Sequence, residues 1–269
     1  MTRTDRQGTE VIRGWLAQRC GIHFPEHKLD QLRQRLVKVQ REFGVPDLSD
    51  MAGRLDLADA TALQLAVMHA ASTNHTYFFR EVDVLDHFRT QILPLLAQRD
   101  EIRIWSAACA AGDEAYTIAI LIAETLGPAA LRRTVILGTD ISSPTIADAE
   151  TGIYSENRLD RVPPEYLDRW FEPAGPGRMR VRKDLRDVCT FRQMNLKTMP
   201  YPFKKSFQTV FCRNVLYYFE REDQIATLRA LHDVTEQGGW LLTSVTENVR
   251  EVCAPWRPVV NGVFRKGGE

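Results

Sequence analysis

The sequence predicts an α/β fold in which a mostly parallel, doubly wound sheet follows a small all-α N-terminal domain. From Ile102 onward, apolar runs of strand length alternate with helical apolar patterns, and this alternation is typical of a parallel sheet covered by helices on both faces. Before Ile102, apolar residues recur only with helical spacing. We therefore expect a helical domain over residues 1–71, an interdomain segment over 72–90 and an α/β domain over 91–269.

The helical domain is predicted from two apolar patterns. One helix is expected over His27–Phe43, where five apolar residues share a face at about 100° per residue. These residues are Leu29, Leu32, Leu36, Val39 and Phe43. A second helix is expected over Thr61–Ala71, and we interpret the aspartate-rich stretch Asp47–Asp59 as helix ends and connections.

The α/β domain is predicted to hold five strands, three helices and a closing hairpin. The predicted strands are Ile102–Ala107, Thr134–Thr139, Val188–Gln193, Gln208–Cys212 and Trp240–Val245. The predicted helices are Glu114–Leu126, Ser143–Ala149 and Arg221–Val234. A hairpin of Pro258–Val260 and Val263–Lys266 is expected because Asn261-Gly262 is a strong turn dipeptide.

One stretch interrupts this alternation. Residues 152–185 are rich in proline, glycine and arginine, and the stretch is longer than an ordinary connection in an α/β unit. We predict an inserted subdomain at about 155–186. It would contain a short helix over Pro164–Phe171, a turn around Gly175–Gly177 and a strand over Met179–Arg182.

Composition excludes several classes of protein. Lysine plus arginine and aspartate plus glutamate each number 35 in 269 residues, so no global positive field favours nucleic acid. No apolar run approaches the ~20 residues that span a bilayer, and the N-terminus lacks the apolar core of a signal peptide. The odd number of cysteines, without a C-x-x-C pair, predicts reduced and mostly buried thiols in a cytoplasmic protein. They are Cys20, Cys109, Cys189, Cys212 and Cys253.

The stretch from Glu101 to Asp140 predicts a ligand site. A strand enters a turn of small residues, a helix begins with Asp113 and Glu114, and a second strand ends at Asp140. Nucleotide-like ligands bind at this place in doubly wound folds. The turn has a single glycine instead of G-x-G-x-x-G, and acids at a helix start repel phosphate.

Such a site suits a cationic ligand that carries hydroxyl groups, as S-adenosylmethionine (SAM) does. Asp140 could accept hydrogen bonds from ribose hydroxyls, which makes a SAM site the functional interpretation. The alternative is that Asp113 and Glu114 are ordinary first-turn acids that complement the helix dipole. The residue pattern of this stretch leaves both open.

Two further segments carry polar side chains at places where sites form. Arg213 and Asn214 follow a buried strand, at the carboxyl end where open sheets bind ligands, and Asn195-Leu196 is placed similarly. Ser72–Arg80 is dense in hydrogen-bond donors. The alternative for this last segment is a linker whose aromatic residues pack on the core while Arg80 caps a helix.

Eight short blocks between Ser72 and Val249 resemble a known family. In order, they are STNHTYFFRE, IWSAACAAGDEAYTIAI, GTDIS, GIY, MNL, VFCRNVLYYF, GGWLL and TENV. With these blocks the chain resembles the CheR family of chemotaxis receptor methyltransferases, which are SAM-dependent protein-glutamate O-methyltransferases. The resemblance implies a Rossmann-like class I SAM methyltransferase domain with a small inserted β-subdomain.

The resemblance also implies roles for individual residues. Cofactor contacts would come from Asn74, Thr76, Arg80, Glu114, Asp140, Asn195, Leu196, Cys212, Arg213 and Asn214. Arg80 and Tyr218 would face the transferring methyl group and the substrate carboxylate as catalytic residues. The cofactor would be SAM and the product S-adenosylhomocysteine, and no metal is expected.

The partner implied by the resemblance is the cytoplasmic domain of a chemotaxis receptor. The basic surface of the helix over His27–Phe43, with Lys28, Arg35 and Lys38, would dock on acidic methylation helices, although any solvated helix can be basic. The turn Glu172–Gly177 is short, which resembles family members that need no C-terminal receptor tether. A cytoplasmic monomer that is not membrane-inserted and binds no nucleic acid is expected.

Three other functions compete with receptor methylation. A related SAM enzyme could act on another protein or on a small molecule. A non-catalytic SAM-binding scaffold is disfavoured because both Arg80 and Tyr218 are present. An NAD-dependent oxidoreductase is disfavoured by the missing glycines and by the acids at the helix start.

Overall fold

The computed structural model describes residues 3–72 and 76–267. Its strands, in chain order, are β1 (Ile102–Ala107), β2 (Thr134–Asp140), β3 (Ile153–Ser155), β4 (Phe171–Pro173), β5 (Arg178–Val181), β6 (Cys189–Gln193), β7 (Phe207–Cys212), β8 (Thr235–Leu242), β9 (Trp256–Val260) and β10 (Val263–Lys266). Its α-helices are α1 (Arg3–Cys20), α2 (Leu29–Glu42), α3 (Leu48–Arg54), α4 (Thr61–Ala71), α5 (Val82–His87), α6 (Leu93–Leu96), α7 (Asp113–Leu126), α8 (Ser143–Thr151), α9 (Pro164–Trp170), α10 (Lys183–Val188) and α11 (Arg221–Asp233).

Helices α1 to α4 form a bundle with its own apolar core. Their inward faces bring together Ile12, Leu16, Leu32, Leu36, Leu48, Met51 and Val67, each fully buried. The predicted helices over His27–Phe43 and Thr61–Ala71 are confirmed as α2 and α4, and α2 is preceded by a 3-10 turn over Glu26–Lys28.

The interpretation of Asp47–Asp59 as connections is wrong, because α3 lies within it. The carboxylate of Asp47 accepts the N–H of Asp50 at 2.8 Å and so caps the helix start. The buried Leu48, Met51 and Ala52 anchor the helix. Seven residues are too few to display helical periodicity in a sequence.

The main sheet has the strand order β6-β2-β1-β7-β8-β10-β9. The first five strands are parallel, and the β9–β10 hairpin extends the sheet antiparallel to β8. The predicted parallel sheet with a closing hairpin is therefore confirmed. One strand is displaced: it was expected over Trp240–Val245 but runs from Thr235 to Leu242, because Gly238 and Gly239 interrupt the apolar pattern at its start.

The inserted subdomain contains a second sheet. Strands β3, β5 and β4 pair antiparallel in that order, and α9 lies between β3 and β4 along the chain. The expected helix and strand are confirmed as α9 and β5, whereas β3 and β4 were not predicted. Each is only three residues long, which is too short for an alternating pattern.

Much of the stretch 72–90 is built into the α/β domain. Phe78, Val84, Leu85 and Phe88 are almost completely buried in the same core as β1 and α7. Helix α5 continues through a π-helical turn, Phe88–Ile92, into α6. The segment that joins the two domains is therefore fixed from Phe78 onward.

The thiols behave as their sequence pattern indicates. All five cysteines are free, and each is buried except Cys189, which is partly buried. Within the described residues, no helix combines the length and apolarity needed to cross a bilayer.

Candidate active site

A cavity of about 240 Å³ opens at the carboxyl ends of the parallel strands, where ligands bind in open α/β sheets. Its floor comes from the loops that follow β1, β2, β6 and β7. The segment 76–80 and the end of the helical bundle complete its walls. These contributors are Ala108–Ala110, Asp140–Ile141, Met194–Leu196, Arg213–Val215, Tyr217–Phe219, Thr76–Tyr77, Phe79–Arg80, Cys20, Ile22, Ala71 and Ser72.

Backbone strain is concentrated around this cavity. Among the described non-glycine residues, those with positive φ are Phe79, Glu81, Ala108, Ala110 and Asn214. Four of them line the cavity, and Glu81 follows the lining residue Arg80. Each left-handed residue without a glycine costs about 1–2 kcal/mol, and such strain clusters at functional sites.

An ion triad centred on the buried Arg213 lies at one wall of the cavity. The Nη1 group of Arg213 donates to Glu114 Oε2 at 2.9 Å, and its Nη2 group lies 3.3 Å from Glu81 Oε2. Arg213 also donates to the backbone carbonyl of Arg80. Ser106 donates to the second oxygen of Glu114 at 2.6 Å. Because the Arg213 side chain is only 3% exposed, its charge is compensated by these carboxylates and not by water.

Asp140 ends β2 with its carboxylate held by backbone amides. Its Oδ2 accepts the N–H of Ala110 and its Oδ1 accepts the N–H of Ser142, each at 3.0 Å. Burial raises the pKa of Asp140 above its ordinary value, although these amide bonds oppose the shift. Each carboxylate oxygen has a second acceptor position, so the group can still bind a ligand hydroxyl.

The two acids at the start of α7 have different roles. Asp113 is completely buried and accepts two hydrogen bonds, at 2.8 and 2.7 Å, from Arg158 of the inserted subdomain. Glu114 faces the cavity. The structural alternative thus holds for Asp113, whereas for Glu114, which lines the cavity, the SAM-site interpretation stays a prediction. Sequence reasoning missed Arg158, which lies 45 residues away in the chain.

In the segment 76–80, some side chains line the cavity and another packs in the core. Thr76, Tyr77 and Arg80 line the cavity. Phe78 instead packs edge-on against Tyr154, with ring centroids 5.0 Å apart. The linker interpretation, in which Tyr77 and Phe78 pack on the core, therefore holds for Phe78 and not for Tyr77. Asn74, predicted to contact the cofactor, lies outside the described residues.

Two carboxylates hold the loop after β7 in place. Glu247 is 5% exposed and accepts the N–H groups of Val215 and Leu216, each at 2.8 Å, and of Ser244 at 2.9 Å. Burial raises the pKa of Glu247, against the opposing effect of these bonds. The loop then brings Tyr218 to the cavity.

Glu81 is the second of these carboxylates. It accepts Asn214 Nδ2 at 2.9 Å, Ser244 Oγ at 2.7 Å and the N–H of Val245 at 3.2 Å. Burial alone would raise the pKa of Glu81, but these bonds and the charge of Arg213 outweigh it and leave the pKa below its ordinary value. Sequence reasoning assigned no role to Glu81 or Glu247.

Cys212 departs from its expected place in the pocket wall. Its side chain is completely buried and packs in a core cluster with Leu216 and Leu241, and it does not line the cavity. Phe211, one residue earlier, packs in the cluster on the other side of the sheet, as alternation along a strand requires. The expectation that Cys212 lines the pocket is therefore corrected.

Asn195 and Leu196, which were predicted to contact the cofactor, line the cavity. Asn195 in addition joins the two domains, because its Nδ2 donates to the carbonyl of Arg19 at 2.8 Å. Lys197 donates to the carbonyl of Ala17 at 3.3 Å and to Asp223 at 2.7 Å. The bonds to Arg19 and Ala17 satisfy carbonyl groups at the C-terminus of α1.

The helical bundle supplies part of the cavity roof, which the sequence did not predict. After α1, Gly21 has φ +72°, and the next residues cross the loop that holds Tyr218. The N–H of His23 donates to the carbonyl of Tyr218 at 3.3 Å. Cys20 and Ile22 thereby reach the cavity, and burial raises the pKa of the Cys20 thiol to about 11.

The three basic residues proposed for docking are not equivalent. Arg35 is partly buried and donates to the carbonyls of Ala70, Ala71 and Ser72 at 3.2–3.3 Å. It therefore caps the C-terminus of α4, in contrast to the expectation that it is presented to a partner. Lys28 and Lys38 are exposed on the bundle surface.

Comparison with known proteins gives a consistent assignment. Residues 74–259 match the family described as CheR methyltransferase, SAM binding domain, and residues 7–67 match CheR methyltransferase, all-alpha domain. The chain is 34% identical over 239 residues to a chemotaxis protein methyltransferase of Escherichia coli, covering 86% of this chain and 80% of that protein.

Two other relatives are similar to the chain over most of its length. The chain is 33% identical over 247 residues to chemotaxis protein methyltransferase 1 of Pseudomonas aeruginosa, covering 88% of this chain and 89% of the relative. It is 30% identical over 237 residues to a chemotaxis protein methyltransferase of Borreliella burgdorferi, covering 86% and 84%.

Proposed function

The chain belongs to the CheR methyltransferase family, and on this basis we propose that it transfers the methyl group of SAM to glutamate side chains of chemotaxis receptors. The products would be glutamate 5-O-methyl ester and S-adenosylhomocysteine. The observation that carries the proposal is one cavity that joins Glu114 and Asp140 to Arg80 and Tyr218. The first pair suits a cationic nucleoside, and the second suits a carboxylate beside it.

The charges around the cavity fit SAM. Three carboxyl groups, on Glu81, Glu114 and Asp140, face two guanidinium groups, on Arg80 and Arg213. This leaves an excess of acid for the sulfonium and the amino group. Glu114 would hold the amino-acid part and Asp140 the ribose, while Ala108 and Ala110 leave room for the nucleoside. Thr76, Asn195, Leu196 and Asn214 would complete the cofactor site.

The chemistry needs alignment and no proton transfer. A solvated glutamate side chain has an ordinary pKa of about 4.3, so it is already a carboxylate at neutral pH. SAM, when bound, supplies a methyl group to which the carboxylate oxygen bonds as the carbon–sulfur bond breaks, and the electron pair stays on sulfur. The protein's part is to orient the carboxylate and exclude water.

Arg80 and Tyr218 are the proposed orienting residues. Arg80 would hold the carboxylate by charge-assisted hydrogen bonds, and its own position is set through its backbone carbonyl, which accepts from Arg213. Tyr218 would donate a hydrogen bond and offer its ring face near the sulfonium. The ring of Tyr217, whose centroid lies 4.4 Å from that of Tyr218, supports it.

The exposed lysines of the helical bundle suggest how a receptor would approach. Lys28 and Lys38 would attract acidic methylation helices, and the attraction would weaken with salt because both side chains are solvated. The turn between β4 and β5 is short, so we propose methylation that does not depend on a receptor tether. We further propose that the protein acts in the cytoplasm as a monomer.

The test is incubation of the protein with methyl-labelled SAM and a recombinant receptor cytoplasmic domain, with and without its C-terminal tail. We expect label on the receptor that mild base releases as methanol, since methyl esters are base-labile. A receptor whose candidate glutamates are replaced by alanine is the control. Base-stable label, or none, would refute the proposal, and equal labelling of an unrelated protein would favour a different acceptor.

A further inference from the structure

Two arginines from separate parts of the chain contact one aromatic ring of the cavity wall. The guanidinium carbon of Arg161, in the inserted subdomain, lies 4.4 Å from the ring centroid of Tyr77. That of Arg80 lies 5.6 Å from the same centroid. The ring attracts both cations, and the two distances place the guanidinium carbons within about 10 Å of each other.

Arg161 is exposed, but the backbone that carries it is anchored. Its neighbours Leu159 and Val162 are buried in the α/β core, and the N–H of Val162 donates to the carbonyl of Leu159 at 2.8 Å. Arg158, three residues earlier, is fixed by its two hydrogen bonds to Asp113. The chain therefore presents this guanidinium from a rigid turn, which limits the entropy lost when it binds a ligand.

The charge of Arg161 is not neutralised by the described part of the chain, in which it forms no ion pair, even with the adjacent and exposed Asp160. Arg161 is an exposed cation held against the ring of Tyr77, and Arg80 is a second cation beside it that faces the cavity. This pair of cations favours an acceptor with two carboxylates. Side chains three or four residues apart on a helix have Cβ atoms about 5–6 Å apart. Two glutamates in that relation can reach both guanidinium groups.

We propose that Arg161 determines substrate specificity by binding a second carboxylate of the acceptor, one helical turn from the glutamate that is methylated at Arg80. This proposal rests on the proposed function, because it takes the acceptor to be a glutamate on a receptor helix. It defines the preferred acceptor as a helix with an acid at position i±3 or i±4 from the methylated residue.

A purely structural role for Arg161 makes a different prediction. If the guanidinium only braced Tyr77, its loss would disturb the cavity wall, and cofactor affinity and kcat would change for every acceptor. A specificity role changes KM, and only for acceptors that carry the second acid. The effect is electrostatic and should decline with ionic strength.

The experiment measures kcat, KM and SAM affinity for Arg161→Ala and Arg161→Lys, with a receptor cytoplasmic domain as acceptor. Arg132→Ala is the matched control, since Arg132 is an exposed arginine just before β2, at the opposite end of the sheet from the cavity. A second acceptor has the acids at i±3 and i±4 replaced by glutamine. We expect Arg161→Ala to raise KM about fivefold on the acidic acceptor, with Arg161→Lys in between.

The outcomes separate this proposal from the one on which it rests. On the glutamine acceptor, wild type and Arg161→Ala should have equal KM, because the partner of Arg161 is absent. Two results would overturn the specificity role alone, provided that the wild-type protein methylates the receptor. In one, Arg161→Ala has the same KM as Arg132→Ala; in the other, Arg161→Ala raises KM equally on both acceptors. Absence of methylation by the wild-type protein would overturn both proposals.

Discussion

Glu247 holds the backbone of Leu216, whose N–H donates to the buried carboxylate at 2.8 Å. The other oxygen of that carboxylate accepts the N–H of Ser244. The loop that carries Tyr218 is thus tied to the end of β8 through one side chain. A carboxylate can accept from amides on both oxygens, whereas a glutamine would present an N–H group to one of them.

We therefore expect Glu247→Gln to destabilise this loop. Placing a donor against a buried N–H costs about 1–3 kcal/mol, which denaturant unfolding would measure, and methyl transfer should fall with it as Tyr218 loses its position. Glu251→Gln is the control, since Glu251 is 72% exposed. Equal stability of the two variants would contradict the role assigned to Glu247.

Arg80→Ala should lower methyl transfer by about tenfold or more, because one positioned charge contributes on this scale. The cofactor should still bind, since Glu114 and Asp140 remain. The measurement is labelled methyl transfer together with SAM titration by calorimetry. Unchanged turnover would remove Arg80 from the proposed mechanism, and loss of SAM binding alone would make it a cofactor residue only.

The docking hypothesis is best tested at the two exposed lysines. Lys28→Glu with Lys38→Glu should raise the KM for a receptor domain at low salt, with a smaller effect at high salt because solvated charges are screened. The single variants Lys28→Glu and Lys38→Glu are each compared with Arg132→Glu, which makes the same charge change away from the bundle. Arg35 is unsuitable for this test, because its replacement would uncap α4. An unchanged low-salt KM would refute docking on this surface.

The ionised carboxylate of Glu81 should stabilise the folded protein at neutral pH and cease to do so in acid. Its folded-state pKa is lowered from 4.5, so its contribution is complete above that value and is lost as pH falls through the folded pKa. The stability difference between wild type and Glu81→Gln should accordingly shrink below pH 4.5. Urea titrations from neutral to acidic pH would measure it, and a difference that stays constant would contradict the assignment.

Gly21→Ala should loosen the roof of the cavity. The residue has φ +72°, and a Cβ atom there would lie 2.6 Å from the ring of Phe219. The backbone cost alone is about 1–2 kcal/mol, and SAM affinity should fall because Cys20 and Ile22 shift. Gly14→Ala in α1 is the control: a Cβ atom there meets nothing within 4 Å, so a small gain in helix stability is expected. Equal SAM affinity in both variants would refute the role of Gly21.

The sequence predicted those elements whose apolar pattern is long enough to read. Helix α2 and strands β1, β2 and β7 fall within this class, whereas α3, β3 and β4 are too short to show a period. Strand β8 was displaced because its first half contains Gly238 and Gly239 instead of apolar residues.

The residues of the candidate site also fall into a class that could be predicted from the sequence and a class that could not. Residues at strand ends, such as Asp140 and Arg213, were predictable because topology brings the carboxyl ends of parallel strands together. The residues that hold these side chains in place could not be predicted. Glu81 meets Asn214 across 133 residues of chain, and no local pattern encodes a contact of that kind. Cys212 was misplaced because a motif position does not tell on which face of a strand a side chain lies.

The two acids that share Arg213 have a consequence for how this protein can change over evolutionary time. Loss of Arg213 alone would leave Glu81 and Glu114, each only 13–14% exposed, with Arg80, 3.9 Å from Glu81, as their remaining counter-charge, which is unfavourable. Loss of either acid would be milder, because the arginine keeps the other. The three positions should therefore covary among related sequences, with the arginine the last of them to be replaced.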